Sequence, residues 1–456
     1  MLAPFASDSM TNLLAAIDVE NFVAMKYLVV LMFSAAAGFL YLLVRDTSNE
    51  TVAAITTLLA ISNPLTVSYA SQVMSEVPYM MWALLALWML ARGISRPGLW
   101  DNRWLLGGMA AAILAYYMRS VGIGLMGATV ACLLLNRDWR RATAVAIGFA
   151  ASIAPWLVRN HMAGGSAYMG QIVMVNPYRS DRGELSLFEF FLRMLVQAEL
   201  YVIDFLPDAF LPSISEPSVA AAELGRREHY IAATLLIIAI IAILIVVLRM
   251  RGRRHFLICM YLVLIAGTML AWPWAGSRFL VPAMPMLWIV IVSIVSGGRN
   301  WLQRRIGPMP THWIVTLLFL LMMAANVDGL RSVARLSEGT YPAHWRDYFA
   351  AGDWLKKSSS PDAVISCRKA YLMYLASGRR SVTFDFEAPD LVLAGLDKAG
   401  ADYVVVDRLP TPQTREHLVP ALGAAPERFG FAYKLGDPGT WILEYSNPGP
   451  ALSNGD

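Results

Sequence analysis

The sequence predicts a polytopic α-helical membrane protein with a small soluble α/β domain at its C-terminal end. Of its 456 residues, 57% are hydrophobic and only 15% are charged, whereas soluble domains carry about a quarter charged residues. Apolar segments recur up to residue 327, and patterns typical of a soluble domain begin near residue 345. This composition excludes an ordinary soluble enzyme and a disordered chain. The net charge of +4 is too small to indicate a nucleic-acid partner.

Ten apolar segments are candidate membrane spans. A spanning helix needs about 20 mostly apolar residues, because its backbone must satisfy its own hydrogen bonds in the hydrocarbon layer. Asn63-Pro64 interrupts the second candidate, and the fourth and fifth are short and share a tight turn at Arg119. The ten candidates are 25–44, 52–70, 77–94, 104–118, 120–136, 142–158, 230–249, 255–272, 278–297 and 311–327.

The distribution of arginines orients these candidates in the membrane. The short loops on one side hold 14 arginines, whereas those on the other side hold only Arg119, Arg159 and Arg278. Because cytoplasmic loops are enriched in positive charge, the side with 14 arginines is predicted to be cytoplasmic. The predicted organisation is therefore an outer segment, a helical bundle with a long outer loop, and an extracytoplasmic α/β domain. Their bounds are 1–24, 25–328 with the loop 160–229, and 329–456.

The outer loop and the N-terminus each leave an alternative open. Residues 185–205 are apolar with scattered charge, which fits either helices lying in the membrane interface or a loop packed on the bundle. Residues 1–24 show no signal peptide, although the charge distribution places them outside the cytoplasm. We expect either that the chain inserts in this way or that a preceding helix is missing from the reading frame.

The C-terminal domain is predicted from strands that alternate with helices. This alternation favours an α/β domain with a mostly parallel sheet. The domain has no glycine-rich strand-to-helix turn typical of a nucleotide site, so we expect a substrate-side or structural cap. The predicted helices are 344–357, 369–378 and 389–401, and the predicted strands are 363–367, 381–386, 403–407 and a last pair near 430–446.

Four charged residues at the predicted outer face are candidate functional groups, because charge at a membrane span is costly. Glu76 opens the third span, Arg119 lies in the tight turn, Arg159 with Asn160 ends the sixth span, and Arg278 opens the ninth. One carboxylate and three guanidiniums suit an anionic substrate, since arginine contacts phosphate oxygens in a bidentate manner and stays protonated.

Each candidate also has a simpler interpretation. A glutamate at a helix start complements the helix dipole, and an arginine at a span end can reach lipid headgroups. Tyr69 and neighbouring aromatic residues could bind a sugar, but an interfacial aromatic belt is the favoured interpretation. An outward carboxylate could bind a divalent cation. One glutamate is not a metal site, however, so no metal ligand set and no cofactor is predicted.

At these residues the chain resembles the polyprenol-dependent membrane glycosyltransferases of the GT-C fold. The nearest branch is glycosyltransferase family 39-like, with protein O-mannosyltransferases and lipid A aminoarabinose transferases. The resembling segments, in chain order, are MLAPFASDS, MKYLVVLMFSAAAGFLYLLVRD, SNPLTVSYASQVMSEVPYMMWALLALWMLARG, YYMRSVG, APWLVRN and RFLVPAMP, with YLASGRR and DYVVVDR in the tail. The tail is similar to the small periplasmic α/β domain of that branch.

The resemblance implies sugar transfer, with inversion, from a polyprenyl-phosphate donor to a lipid, glycan or protein acceptor outside the cytoplasm. It implies a multi-pass protein of the bacterial inner membrane. Glu76 matches an acidic position of the family and is implied as catalytic. Arg119 and Arg278 are implied to hold the lipid phosphate, with Arg159, Asn160 and Tyr69 as further substrate-binding candidates.

The sequence departs from the family at its start. The family has one more helix and an outer loop with an Asp-Glu type motif before the first segment found here. We therefore expect a reading frame begun late or a truncated copy, and the activity of this chain stays open. Two other functions remain: a non-catalytic membrane partner in envelope-polysaccharide assembly, and a lipid or solute transporter. Transport would require charged or broken helices near the bilayer midplane.

Overall fold

The computed structural model describes residues 22–162, 167–176, 183–210, 253–339 and 341–447. The chain divides into two compact units. A helical unit comprises Met1–Val173 and Leu185–Ser337, and a second unit comprises Met174–Glu184 and Glu338–Asp456. The predicted outer segment 1–24 lies almost entirely outside the described residues.

The described part of the helical unit contains thirteen α-helices. In chain order they are α1 Phe22–Thr47, α2 Glu50–Ile61, α3 Pro64–Ala70, α4 Glu76–Ile94, α5 Arg103–Met118, α6 Ile123–Leu135, α7 Trp139–Met162, α8 Ala167–Val173, α9 Leu187–Leu200, α10 Leu206–Phe210, α11 Arg253–Ala271, α12 Met284–Ile306 and α13 Pro308–Glu338.

This helical unit confirms the predicted fold class, but the predicted number of spans is not confirmed. Six described helices are long and apolar enough to cross a membrane, and a seventh span results if α2 and α3 count as one. Helix α5 has only 16 residues and α6 has 13, fewer than the roughly 20 that a straight span needs. The candidate at 230–249 lies outside the described residues.

Helices α2 and α3 form a broken pair, bent by 64° at Asn63-Pro64. Because Pro64 has no N–H, the carbonyl of Ala60 loses its helical donor. The hydroxyl of Thr66 donates to that carbonyl at 2.8 Å, and Nδ2 of Asn326 donates to the carbonyl of Leu59 at 3.2 Å. Buried side chains thus satisfy the backbone at the break, as a bent helix at membrane depth requires.

Helix α9 occupies the apolar part of the outer loop and has two different faces. Ser186 and Glu189 form a reciprocal capping box at its start. On one face, Arg193 and Gln197 donate to backbone carbonyls at the end of α11 and just beyond it. The other face exposes a row of large apolar side chains, namely Leu187, Phe188, Phe191, Leu192, Leu195 and Val196. The helix therefore packs on the bundle and also presents an apolar surface, so it combines features of both sequence interpretations.

The second unit is built on a five-stranded sheet. Its strands are β1 Val364–Ser366, β2 Arg380–Val382, β3 Tyr403–Val406, β4 Phe429–Gly436 and β5 Gly439–Tyr445, and its helices are α14 Ala343–Ser358, α15 Ala370–Ser377, α16 Pro389–Ala399 and α17 Val419–Ala424. The strand order is β2-β1-β3-β5-β4. Strand β1 is parallel to β2 and β3, whereas β5 is antiparallel to β3 and β4.

The prediction of a mostly parallel sheet is therefore wrong, because the sheet is mixed. The alternation of strands and helices correctly predicted the parallel half of the sheet, which consists of β1, β2 and β3. Strands β4 and β5 are joined by a tight turn between Gly436 and Gly439, and such a short connection can only pair strands antiparallel.

Helices α4 and α5 approach closely enough that glycine is required between them. A Cβ built on Gly93 would lie 2.6 Å from the backbone nitrogen of Leu105. Backbone atoms cannot yield as the end of a flexible side chain can, so a side chain at position 93 would push the two helices apart. Gly38 on α1 has no neighbouring atom within 4 Å of a built Cβ and provides a matched comparison.

We predict that Gly93→Ala lowers the free energy of unfolding by about 1–3 kcal/mol, because overpacking forces the backbones apart. Gly38→Ala should be neutral or slightly stabilising, since alanine has the higher helix propensity. Thermal unfolding in detergent measures both. Equal effects of the two substitutions would contradict the close packing of α4 on α5.

Candidate active site

The site is built on the N-terminal end of α4. Glu76 is the first residue of this helix and is 2% exposed. Pro78 follows in the first turn, where its missing N–H costs no hydrogen bond. A carboxylate at this position is stabilised by the unpaired N–H groups and the dipole of the helix. The local sequence therefore places a buried negative charge at this end of the bundle.

Arg119 reaches Glu76 from the turn between α5 and α6. Its backbone ends α5, donating to the carbonyl of Ala115 at 3.0 Å, and its own carbonyl accepts from Gly122 at 2.9 Å. A Cβ on Gly122 would lie 2.7 Å from backbone atoms of Tyr116, so the turn requires glycine there. Nη1 of Arg119 donates to Oε1 of Glu76.

Arg278 approaches the same carboxylate oxygen from a third part of the chain. It lies in a short 3₁₀ turn, Ser277–Leu280, just before α12. Its Nε lies 3.6 Å from Oε1 of Glu76, and its side chain is 50% exposed. The ring of Phe279 contacts both guanidiniums, with its centroid 4.9 Å from Cζ of Arg278 and 5.8 Å from Cζ of Arg119. One carboxylate and one aromatic ring therefore hold two guanidiniums together.

This arrangement has an excess of one positive charge. Both arginines contact Oε1 of Glu76, whereas Oε2 accepts no hydrogen bond from any described residue. Arg119 is mostly buried, and Arg278 is the more accessible of the two cations. The site can therefore bind an anion at Arg278 and offer a free carboxylate oxygen beside it.

Two tyrosines connect the cluster to neighbouring helices. Tyr69, near the end of α3, lies close enough to interact electrostatically with Glu76, Arg119 and Arg278. Tyr79 lies one turn after Glu76 on α4, and its hydroxyl is 2.9 Å from that of Tyr261 on α11. Both members of this pair are buried. This hydrogen bond fixes the first turns of α4 against α11, and with them the position of Glu76.

The structure brings together three of the four charged residues expected to converge. Arg159 is exposed at the end of α7, with its guanidinium 5.2 Å from the ring centroid of Trp156 on the same helix. The ion pairs of the described residues include none between Arg159 and Glu76. The substrate-binding roles of Arg159 and Asn160 stay predictions.

Sequence reasoning missed several residues that position this site. Ser75 accepts a hydrogen bond from Arg119 at 3.3 Å, and Phe279 contacts both guanidiniums. Gln197 donates to the carbonyls of Trp272 and Pro273 at 3.3 and 3.2 Å, and so supports the segment that leads to Arg278. The polar residues scattered through the apolar stretch 185–205 were the sequence signal for Gln197.

The described side chains around Glu76 do not form a donor set that fits a resident metal ion. A divalent cation prefers several oxygen ligands, but Glu76 is the one carboxylate in the contacts described here, and two guanidiniums already share one of its oxygens. Among the described residues, no group of three or more histidine, cysteine, aspartate or glutamate side chains lies together.

Comparisons with known proteins show that this fold is similar to that of solved glycosyltransferase structures. Residues 3–158, roughly a third of the chain, match the family described as dolichyl-phosphate-mannose-protein mannosyltransferase. The oligosaccharyltransferase of Archaeoglobus fulgidus, in complex with Zn and sulfate, has a TM-score of 0.52 at 14% identity. That match covers 92% of this chain and 61% of the other, so the chain spans less than two thirds of that protein.

A second similar structure is ArnT from Cupriavidus metallidurans. In the form bound to undecaprenyl phosphate it has a TM-score of 0.50 at 13% identity, covering 93% of this chain and 85% of ArnT. In the apo state the TM-score is also 0.50, at 14% identity, with 92% and 83% covered. No curated protein sequence gives a match. The predicted resemblance is thus confirmed: the chain has the fold of the GT-C glycosyltransferases and is a multi-pass membrane protein.

We predict that Glu76→Gln lowers stability by up to about 3 kcal/mol, since removal of one partner leaves a mostly buried guanidinium without its counterion. Arg119→Gln should cost a similar amount, and the double variant should cost less than the sum of the two. Thermal unfolding in detergent measures this double-mutant cycle.

The matched control is Arg159→Gln, at an exposed side chain, which should change stability by no more than about 0.5 kcal/mol. Additive costs of Glu76→Gln and Arg119→Gln would show that the two side chains are not coupled.

Proposed function

We propose that this chain is a glycosyltransferase that moves a sugar from a polyprenyl-phosphate donor to an acceptor on the outer side of a bacterial inner membrane. The single observation that carries the proposal is the convergence of Arg119 and Arg278 on Glu76 with an accessible positive charge left over. A lipid-linked phosphate is an anion that a membrane protein can bind at this end of its bundle. The ArnT structure bound to undecaprenyl phosphate provides a similar fold with such a ligand.

In the proposed reaction, Arg278 binds the phosphate of the donor, and Arg119 adds a second positive charge held in place by Glu76. An acceptor hydroxyl attacks the anomeric carbon, a new C–O bond forms, and the bond from that carbon to the phosphate oxygen breaks. The electron pair leaves with the polyprenyl phosphate, whose growing negative charge the guanidiniums stabilise. Attack from the face opposite the phosphate inverts the anomeric carbon.

Glu76 has two functions in this proposal. Its Oε1 positions both arginines, and its Oε2 accepts the hydrogen bond, and then the proton, of the acceptor hydroxyl. Tyr69 lies beside the cluster and is proposed to contact the sugar or the phosphate. Arg159 and Asn160 are proposed as a more distant part of the substrate surface, because they end a helix predicted on the same side of the membrane.

The topology is part of the same proposal. The excess of arginines on one side supports an extracytoplasmic position for the site and for residues 329–456. We propose that the acceptor, on that same side of the membrane, is a lipid, a glycan or a protein.

Transport is a second candidate function, because one observation favours it. The break at Asn63-Pro64 resembles the discontinuous helices at transporter binding sites. The charged cluster lies at the end of α4 and not in its middle, which favours sugar transfer. A flippase would move a fluorescent polyprenyl phosphate between vesicle leaflets without forming a glycosylated product.

We predict that Arg278→Gln lowers the rate of sugar transfer by about 10²- to 10³-fold, the usual effect of removing one group that stabilises a developing oxyanion. Arg278→Lys should retain part of the activity, since it keeps the charge but not the planar fork. Membranes supplied with radiolabelled polyprenyl-phosphate sugars provide the assay.

The control is Arg304→Gln, at the opposite end of the bundle, which should leave transfer unchanged. Wild-type rates in Arg278→Gln would refute the site assignment. Donor binding without any product in the wild-type chain would instead support the non-catalytic partner.

A further inference from the structure

A second group of charged side chains lies at the end of the helical unit opposite Glu76. It surrounds the loop between α4 and α5. Arg92 lies in the last turn of α4, about 24 Å along the helix axis from Glu76. This charge is therefore too distant to take part in the proposed sugar transfer.

Three guanidiniums of this region surround one indole ring. The Cζ atoms of Arg92, Arg96 and Arg103 lie 4.6, 5.5 and 5.7 Å from the ring centroid of Trp104. The electron-rich face of the ring attracts each cation, but it also brings three like charges together. We call these residues, together with Arg141 and Arg254, the Trp104 cluster.

The negative charges nearby do not balance the cluster. Asp46 binds Arg92 through both carboxylate oxygens, and Asp138 pairs with Arg141. The carboxylate of Asp101 folds over Gly98 in the same loop. The five arginines thus face three aspartates, which leaves an excess of two positive charges.

Three arginines of the cluster have no carboxylate partner among the described residues, namely Arg96, Arg103 and Arg254. Arg96 and Arg103 form no ion pair with any described residue, and both are exposed. Arg254 donates to the carbonyl of Asp46 at 3.0 Å and so adds charge at the edge of the cluster.

The loop that carries Arg96 is held in place. The carbonyl of Arg96 accepts hydrogen bonds from Nη1 of Arg141 at 2.5 Å and from Nδ2 of Asn102 at 3.4 Å. Nδ2 of Asn102 also donates to the carbonyl of Gly93 at 2.9 Å. A cationic surface fixed before the ligand arrives loses less conformational entropy on binding.

Two exposed tryptophans indicate the depth of this surface. Trp100, in the loop itself, is 82% exposed, and Trp139, which follows Asp138, is 64% exposed. Tryptophan is enriched at the interface between membrane and water. The exposed indoles therefore place the Trp104 cluster at the level of the lipid headgroups.

We propose that the Trp104 cluster is a binding site for the phosphate of an anionic phospholipid headgroup, with Arg96 and Arg103 as its principal ligands. Arginines that only orient the protein in the membrane must lie on this side of it, but they do not need to converge on one indole ring. Three of the arginines here do converge on the ring of Trp104. The planar guanidiniums suit two oxygens of a phosphodiester. The tryptophans beside them suit a lipid better than a dissolved anion.

The test measures lipid retention. The full chain is reconstituted in bilayers of phosphatidylcholine and phosphatidylglycerol with matched acyl chains, and retained lipid is counted by native mass spectrometry. We expect the wild-type chain to retain phosphatidylglycerol preferentially. Arg96→Gln with Arg103→Gln should reduce that retention by about tenfold or more, since each arginine near an anionic membrane surface contributes substantially to binding.

The matched control is Arg299→Gln with Arg304→Gln, which removes two arginines at the end of α12. It should keep retention within about twofold of wild type, because specific binding depends on local contacts. An equal loss of phosphatidylglycerol from both double variants would indicate a diffuse electrostatic field and would contradict a local site. No loss of the lipid from either double variant would exclude the site. Displacement of the lipid by excess inorganic phosphate would overturn the assignment to a lipid.

A lysine pair covers the case in which the glutamine pair fails to insert. Arg96→Lys with Arg103→Lys preserves the charge that directs topology but loses the planar contacts to phosphate. We expect several-fold weaker retention of phosphatidylglycerol from this pair. Full retention would overturn the proposal.

Discussion

The arrangement of the candidate active site depends on one carboxylate oxygen, Oε1 of Glu76. Two guanidiniums from separate parts of the chain meet at this atom, one from the turn after α5 and one from the segment before α12. Without Glu76 the like charges of Arg119 and Arg278 would repel each other close to a low-dielectric interior. The buried negative charge therefore determines where the accessible positive charge lies.

Several distant features of the fold serve to hold that carboxylate in place. Glycine at position 93 lets α4 lie directly on the backbone of α5, and the hydrogen bond between Tyr79 and Tyr261 fixes the same helix against α11. Glycine at position 122 permits the turn that aims Arg119 at Glu76. The guanidiniums that these features position offset the energetic cost of burying the carboxylate.

The sequence allowed the helical class and the convergence of Glu76, Arg119 and Arg278 to be predicted, because hydropathy and the distribution of arginines depend on the position of each segment relative to the membrane. It did not reveal that Arg159 contacts Trp156 on its own helix and is absent from the ion pairs that the described residues form with Glu76. Topology places a residue at one end of the bundle, but only packing decides which neighbours it meets around that end. The ten predicted spans are not confirmed for a related reason: hydropathy identifies apolar segments such as α5 and α6, whereas spanning also depends on helix length.

The most direct test of the central claim compares the binding of two lipids that differ only in their phosphate. Polyprenyl phosphate and the corresponding polyprenol are titrated separately into the purified full chain and into Arg278→Gln. If the accessible guanidinium binds the phosphate, the wild-type chain prefers the phosphorylated lipid, and the variant loses most of that preference. Equal affinity of the wild-type chain for both lipids would contradict the account.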